Sequence, residues 1–326
     1  MANLDFLRSV AVLSVYVFHL GMAFGYEWHF DLGHFGVLLF FVHTSTVLMA
    51  SLARLQANGE PLFRSFYIRR AFRIYPLSIA VVCVIVLWHL PQAPWWHWNP
   101  MDAKAVVTNL LLVMNLTGSP IATSVLWTLP LEVQMYLLLP VLFLVGRRWG
   151  VRGVFLTWVA SVVVGIVLPA LSGRLGVFGY GPCFLSGVLA FFLGSRARLP
   201  AWPIVLVIAA VVFGAIYPIH IKTASWLMCL GVGLAIPHCA DMKPRRIFEL
   251  IARYSYGIYL THLYAMWVAL VVFKEQAWFV RAVILVGLSV GLPVILYHAL
   301  EAPCVRLGAR LATLTSAHLG LRRRST

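Results

Sequence analysis

Apolar runs, each about the 20 residues a helix needs to cross a bilayer, follow one another from the N-terminus to the last thirty or so positions of this chain. That succession is the strongest constraint on its fold. A segment in lipid must satisfy its backbone hydrogen bonds internally, so lipid-facing runs of this kind form helices. Of the 326 residues 62% are hydrophobic and 11% charged, where a soluble domain carries roughly a quarter charged residues. A water-soluble fold is excluded. The formal charge of +15 would suit nucleic acid if it formed one face, but the basic residues fall in short clusters between apolar runs, which is the distribution of membrane topology.

Breaking the runs at Gly, Pro and charge clusters predicts ten spans, near 3–24, 34–53, 74–92, 125–146, 153–171, 177–195, 201–218, 223–240, 250–273 and 280–302. The expected fold is an all-α polytopic bundle of about ten transmembrane helices with both termini cytoplasmic. Charge sidedness supports it. With the N-terminus inside, Arg54, Arg64, Arg69 and Arg70, then Arg147, Arg148 and Arg152, then Arg196 and Arg198, then Lys243, Arg245 and Arg246, then Arg306, Arg310 and Arg322 to Arg324 all fall inside, and the opposite loops are nearly free of Lys and Arg. Residues 1–312 read as one membrane domain and 313–326 as a short, basic, disordered tail. Ala105 to Leu116 is too short to cross and reads as a re-entrant or interfacial helix. The preceding P-W-W-H-W, Pro94 to Trp98, is an aromatic belt at headgroup level or a platform for stacking a sugar. Val10 to Phe24 lacks the flanks and cleavage site of a signal peptide. The five cysteines lack metal or disulfide spacing and read as packing residues; no metal site is expected.

Titratable residues within spans are costly and are therefore candidates for function. Arg8 and His19, eleven residues apart, share a helical face about 16 Å apart along the axis. His19 is either a packing histidine bonded to a carbonyl or an imidazole able to take a proton or attack a carbonyl. F-Y-I-R-R-A-F-R-I-Y-P places Arg69, Arg70 and Arg73 in a compact cluster at the expected start of the third span, an anchor or a phosphate site. Glu132 lies about a turn and a half into its span with Tyr136 one turn further on the same face. It pairs with His19, or makes a structural contact to Arg8 or Tyr136. Ser255, Tyr259 and His262 share one face of the ninth span, and Glu301 is placed to pair with Arg306.

Taken together, L-D-F-L-R at Leu4 to Arg8 followed by His19, R-R-A-F-R-I-Y-P at Arg69 to Pro76, W-T-L-P-L-E-V-Q-M-Y at Trp127 to Tyr136 and S-Y-G-I-Y-L-T-H at Ser255 to His262 resemble the acyltransferase-3 family of membrane acyltransferases, which acylate bacterial surface glycans and some small glycosides. The resemblance spans essentially the whole chain. It implies a multi-pass protein of the bacterial cytoplasmic membrane that moves an acyl group, by analogy a short one such as acetyl, from cytoplasmic acyl-coenzyme A to a saccharide, glycolipid or glycan hydroxyl. It implies no bound cofactor beyond this co-substrate and no nucleic-acid partner. It also implies that Arg69, Arg70 and Arg73 lie near the donor phosphates, that His19 and Arg8 are essential, with Glu132 orienting His19, and that Trp127, Tyr136, Ser255, Tyr259 and His262 support them. His19 then acts as general base or as acyl-imidazole nucleophile.

The chain departs from the family pattern at several positions. F-F-V-H-T-S-T at Phe40 to Thr46 lacks the usual close-packing glycine and adds His43; Thr128 replaces a serine; Val133 replaces a second glutamate. No C-terminal extracytoplasmic esterase-like domain is expected from this sequence, so any second transfer step would need a separate protein or no partner at all. Two rival readings remain, a saccharide or polyol transporter and a non-catalytic scaffold of a polysaccharide export complex. The first predicts matching broken helices in two halves, which the sequence does not offer. The second predicts that Arg8, His19 and Glu132 tolerate alanine.

Overall fold

The computed structural model describes residues 2–93, 100–194, 202–239, 243 and 245–324. It is 85% helical, with no strand among the described residues. Among the described residues, seven helical stretches are long and apolar enough to cross a membrane. Their outward faces carry Leu137, Val141, Val163 and Val286, all exposed, a lipid-facing rather than water-facing surface.

Helix α1 spans Ala2–Ala23 and α2 spans Leu32–Ala57, capped by Asp31, whose carboxylate accepts the His34 amide at 2.8 Å. Helix α3 runs Leu62–Trp88, twelve residues ahead of the expected start at 74. The arginine cluster therefore lies two turns inside the helix, away from its N-terminal dipole. Hydropathy places a boundary where charges begin, whereas the helix starts where Gly59 and Pro61 stop restricting the backbone. The short piece after the Trp-rich loop forms two small helices, α4, Ala103–Leu110, and α5, Met114–Thr117, neither long enough to cross. The Trp-rich loop itself, and Arg196 with Arg198, lie outside the described residues.

The helical run α6, Thr128–Leu171, has 44 residues, about 66 Å at the α-helical rise and twice a bilayer. It is two helices joined at Gly150, whose φ of 62° and ψ of −156° suit a residue without Cβ. This is the break expected between Arg148 and Arg152. Helix α7, Gly181–Leu193, is preceded by a 3₁₀ segment, and α8, Trp202–Ile216, and α9, Ile221–Ala235, have 15 residues each. Helix α10, Arg246–Trp267, continues into a π turn at Val268–Val272. Helix α11, Trp278–Leu296, passes through a second π turn, Tyr297–Glu301, into α12, Ala302–Arg324. The expected disordered tail is thus helical as far as Arg324. The wide turn leaves Pro303 in a first turn, where it needs no amide partner, and Leu, Ala and Arg favour helix beyond it.

Close approach replaces the missing hydrophobic drive between helices in lipid. Gly36 of α2 lies against Ala11 and Val15 of α1, and Gly187 of α7 against Val42, Ser45 and Thr46 of α2. Thr46 Oγ1 donates to the Gly187 carbonyl at 3.0 Å. The small residue absent from α2 is therefore supplied by the facing helix.

Candidate functional site

Helices α1 and α10 pack side by side and in parallel. Phe6 and Ser9 meet Phe248 near their first turns, Arg8 Nε donates to Ser255 Oγ at 2.6 Å, and His19 meets His262 further along. The eleven-residue interval on one helix faces a seven-residue interval on the other because the long Arg8 side chain reaches along the axis. Ser255 passes its own hydrogen to the Ala252 carbonyl at 2.8 Å, leaving its oxygen free to accept Arg8.

The histidine pair fixes its own tautomers. His262 Nδ1 lies 3.1 Å from the Ile258 carbonyl, which only accepts, so Nδ1 carries the hydrogen and Nε2 a lone pair. His19 Nδ1 lies 3.0 Å from the Val15 carbonyl and 3.2 Å from His262 Nε2. Both neighbours accept, so His19 Nδ1 is the donor. These bonds assign the hydrogens, and they leave His19 Nε2 with an open lone pair.

Glu132 does not reach His19. Tyr136 donates to its Oε2 at 2.6 Å, the structural contact open from i,i+4 spacing. The expected pairing of Glu132 with His19 is corrected: the side chain that meets His19 is His262. Glu132 lines a different cavity from His19.

Three cavities lie in succession. The first, about 260 Å³, is lined by Arg54, Asn58, Glu60, Arg69, Arg70 and Arg73. Arg70 and Arg73 also line a narrower central cavity of about 90 Å³, with Arg8, His43, Glu132 and Tyr256. Val37 and Tyr259 connect the central cavity to a third, about 150 Å³, which holds His19, Asp31, His34 and Trp127. Tyr259 is fixed as the divider: its hydroxyl donates to the Val125 carbonyl and accepts from Thr128, both at 2.8 Å. Thr128 thus performs a hydroxyl role in place of serine. Trp127 stacks on His34 with rings 7° apart and centroids at 6.2 Å.

The arginines differ in state. Arg69 pairs with Glu60 at 2.9 Å, and Arg73 pairs with Glu301 while its guanidinium lies 5.3 Å from the Tyr256 ring centre. Nε of both Arg69 and Arg70 is buried with no hydrogen-bond partner among the described residues, and among them Arg70 alone of the three has no carboxylate partner. The predicted Glu301–Arg306 pair is not formed, because the π turn directs Glu301 towards α3 while Arg306 is exposed. Arginines outnumber carboxylates in both the first and the central cavity, an anion-binding field. Sequence reasoning missed Asp31 and His34, whose signal was an N-cap aspartate before a histidine in the second span, and it met His43 only as a departure.

A family profile described as an acyltransferase domain matches residues 1–298. The chain belongs to the acyltransferase-3 family. It is 24% identical to nodulation protein 10 of Rhizobium leguminosarum bv. viciae, over 95% of this chain and 94% of that protein. It is 28% identical to a peptidoglycan O-acetyltransferase of Listeria monocytogenes over 45% of this chain and 25% of that protein. A Bacillus subtilis protein provisionally named a peptidoglycan O-acetyltransferase is 30% identical over 44% of this chain and 24% of its own length. The matched part spans about a quarter of those two acetyltransferases. No solved structure matches the chain. The motifs at Arg8 to His19, Arg69 to Arg73, Trp127 to Tyr136 and Ser255 to His262 all fall within the matched domain of this multi-pass membrane protein.

Proposed function

We propose that this chain is a membrane O-acyltransferase of the bacterial cytoplasmic membrane, moving an acetyl group from cytoplasmic acetyl-coenzyme A to a hydroxyl of a saccharide or glycoconjugate at the opposite face. In this reading ten helices cross, both termini are cytoplasmic, and residues 1–312 act as one domain. The observation that carries it is the succession of cavities, arginine-lined at one end and ending at the open Nε2 of His19 at the other. The parallel contact of α1 with α10 supports the topology, since it requires an odd number of crossings between them, as the seven intervening spans give.

The donor phosphates rest against Arg69, Arg70 and Arg73, with Arg70 offering the least committed guanidinium. The pantetheine arm runs through the central cavity, where Glu132 offsets part of the charge of Arg8, Arg70 and Arg73. At the far end His19 Nε2 takes the proton of the acceptor hydroxyl, the hydroxyl oxygen attacks the thioester carbonyl, and the C–S bond breaks. The imidazolium returns its proton to the leaving thiolate, giving ester and free coenzyme A. The same lone pair could attack the carbonyl first to form an acyl-imidazole, and hydroxylamine trapping of labelled protein separates that route from direct transfer.

The decisive experiment offers radiolabelled acetyl-coenzyme A and membrane glycans to the purified protein in lipid, comparing wild type with His19→Ala. Label should appear on a glycan only with wild type. A folded wild-type protein that fails to bind coenzyme A would remove the reading and leave saccharide transport as the alternative.

A further inference from the structure

The third cavity differs from the other two in chemistry. The arginine-lined and central cavities present guanidinium groups, whereas no Lys or Arg lines the third among the described residues. Its polar groups are mainly acceptors. His19 turns an Nε2 lone pair outward from its Nδ1 bonds. His34 Nε2 lies 3.2 Å from Ser225 Oγ, whose hydrogen goes to the Ile221 carbonyl at 2.8 Å, so His34 donates there and keeps a lone pair on Nδ1. The Asp31 carboxylate accepts the His34 amide on Oδ1 and the Tyr217 hydroxyl on Oδ2, both at 2.8 Å. A carboxylate has about four lone-pair sites, so it retains two. The Tyr259 hydroxyl donates its hydrogen to Val125. Only the Trp127 indole N–H stands as a donor among the polar side chains named here.

A cavity of acceptors beside a stacked indole is complementary to a ligand rich in hydroxyl donors with an apolar ring face. We infer that Asp31, His34 and Trp127 form the acceptor's binding site and select a neutral sugar over an anionic one; this rests on the acyltransferase reading above. Asp31 accepts hydroxyl hydrogens, the Trp127 and His34 rings cover one sugar face, and the selected hydroxyl points at His19 Nε2. A carboxylated or phosphorylated sugar would set its charge against Asp31 with no cation to offset it. The path is therefore divided by charge, attracting the anionic donor at one end and excluding anions at the other.

The test is saturation-transfer NMR on protein in lipid nanodiscs without acyl-coenzyme A, titrating methyl β-glucoside and, separately, glucuronate. Wild type should bind the neutral glycoside about tenfold more tightly, a discrimination of the size one matched or mismatched polar group gives. Asp31→Asn, which keeps a capping side chain for α2, should bring the two sugars within about twofold, and Trp127→Leu should weaken the neutral sugar. Coenzyme A binding by each variant checks folding. Equal binding of both sugars by wild type, a preference unchanged in Asp31→Asn, or binding of neither sugar by a protein that still binds coenzyme A overturns the inference. Loss of coenzyme A binding by wild type is a separate result and removes the parent reading.

Discussion

His19 and His262 meet through one nitrogen each, and the direction of that bond makes the pair chemically asymmetric. His262 is anchored by its own Nδ1 to Ile258 and can only accept from His19. In the proposed reaction it would act by orienting the His19 ring, whose tautomer it shares with the Val15 carbonyl in holding, rather than by touching the acceptor. His262→Phe should lower kcat about a hundredfold, within the range of general-base effects, while the KM for acyl-coenzyme A stays unchanged. His262→Gln, whose amide oxygen accepts the same hydrogen, should recover a substantial part of kcat. A loss in both variants accompanied by a raised donor KM would mean that His262 serves packing alone. The residue types of this site were readable in the sequence, because Arg8, His19, Glu132 and His262 are too costly in lipid to be incidental. Their pairing was not. Spacing along one helix assigns a face but says nothing of which neighbouring helix supplies the partner, so His19 was matched to Glu132 when its bond is to His262.

At the scale of helices, the same limit applies to boundaries. Gly150 and the arginines around it marked the fold-back of α6 correctly, since a charged turn and a left-handed glycine are local features. The start of α3 and the continuation through Pro303 were hidden because apolar content, not helix formation, set the expected limits. The π turn at Tyr297–Glu301 has no spacing signature, yet it brings Glu301 to Arg73. The crossing of α7 over α2 depends on Gly187, where any added side chain meets the Val42 carbonyl, Ser45 and Thr46. Gly187→Leu should destabilise the protein by about 1–3 kcal/mol, the usual cost of overpacking, seen as a lower melting temperature in detergent. Gly187→Ala should lie between the two. A melting temperature unaffected by leucine would show that the two helices do not need this approach.

For the whole molecule, the remaining question is how many times the chain passes through the bilayer. Parallel contact between α1 and α10 is satisfied if α6 passes twice and α8 and α9 either both cross or both stay on one side. Contact within the bundle cannot distinguish those two cases, because either gives α10 the same direction as α1. Charge sidedness does not distinguish them either: Arg147, Arg148 and Arg152 on one turn, and Lys243, Arg245 and Arg246 before α10, fall on the same side in both cases, the side that the proposed topology makes cytoplasmic. The turn between α8 and α9 decides the rest. Ile219 in that turn is 72% exposed, so Ile219→Cys offers a thiol without disturbing the bundle. With ten crossings this thiol faces outward, and a membrane-impermeant maleimide should label it in intact cells. Labelling only after permeabilisation would leave α8 and α9 on the cytoplasmic side, reduce the crossings to eight, and keep His19 at the outer end of α1 in either case.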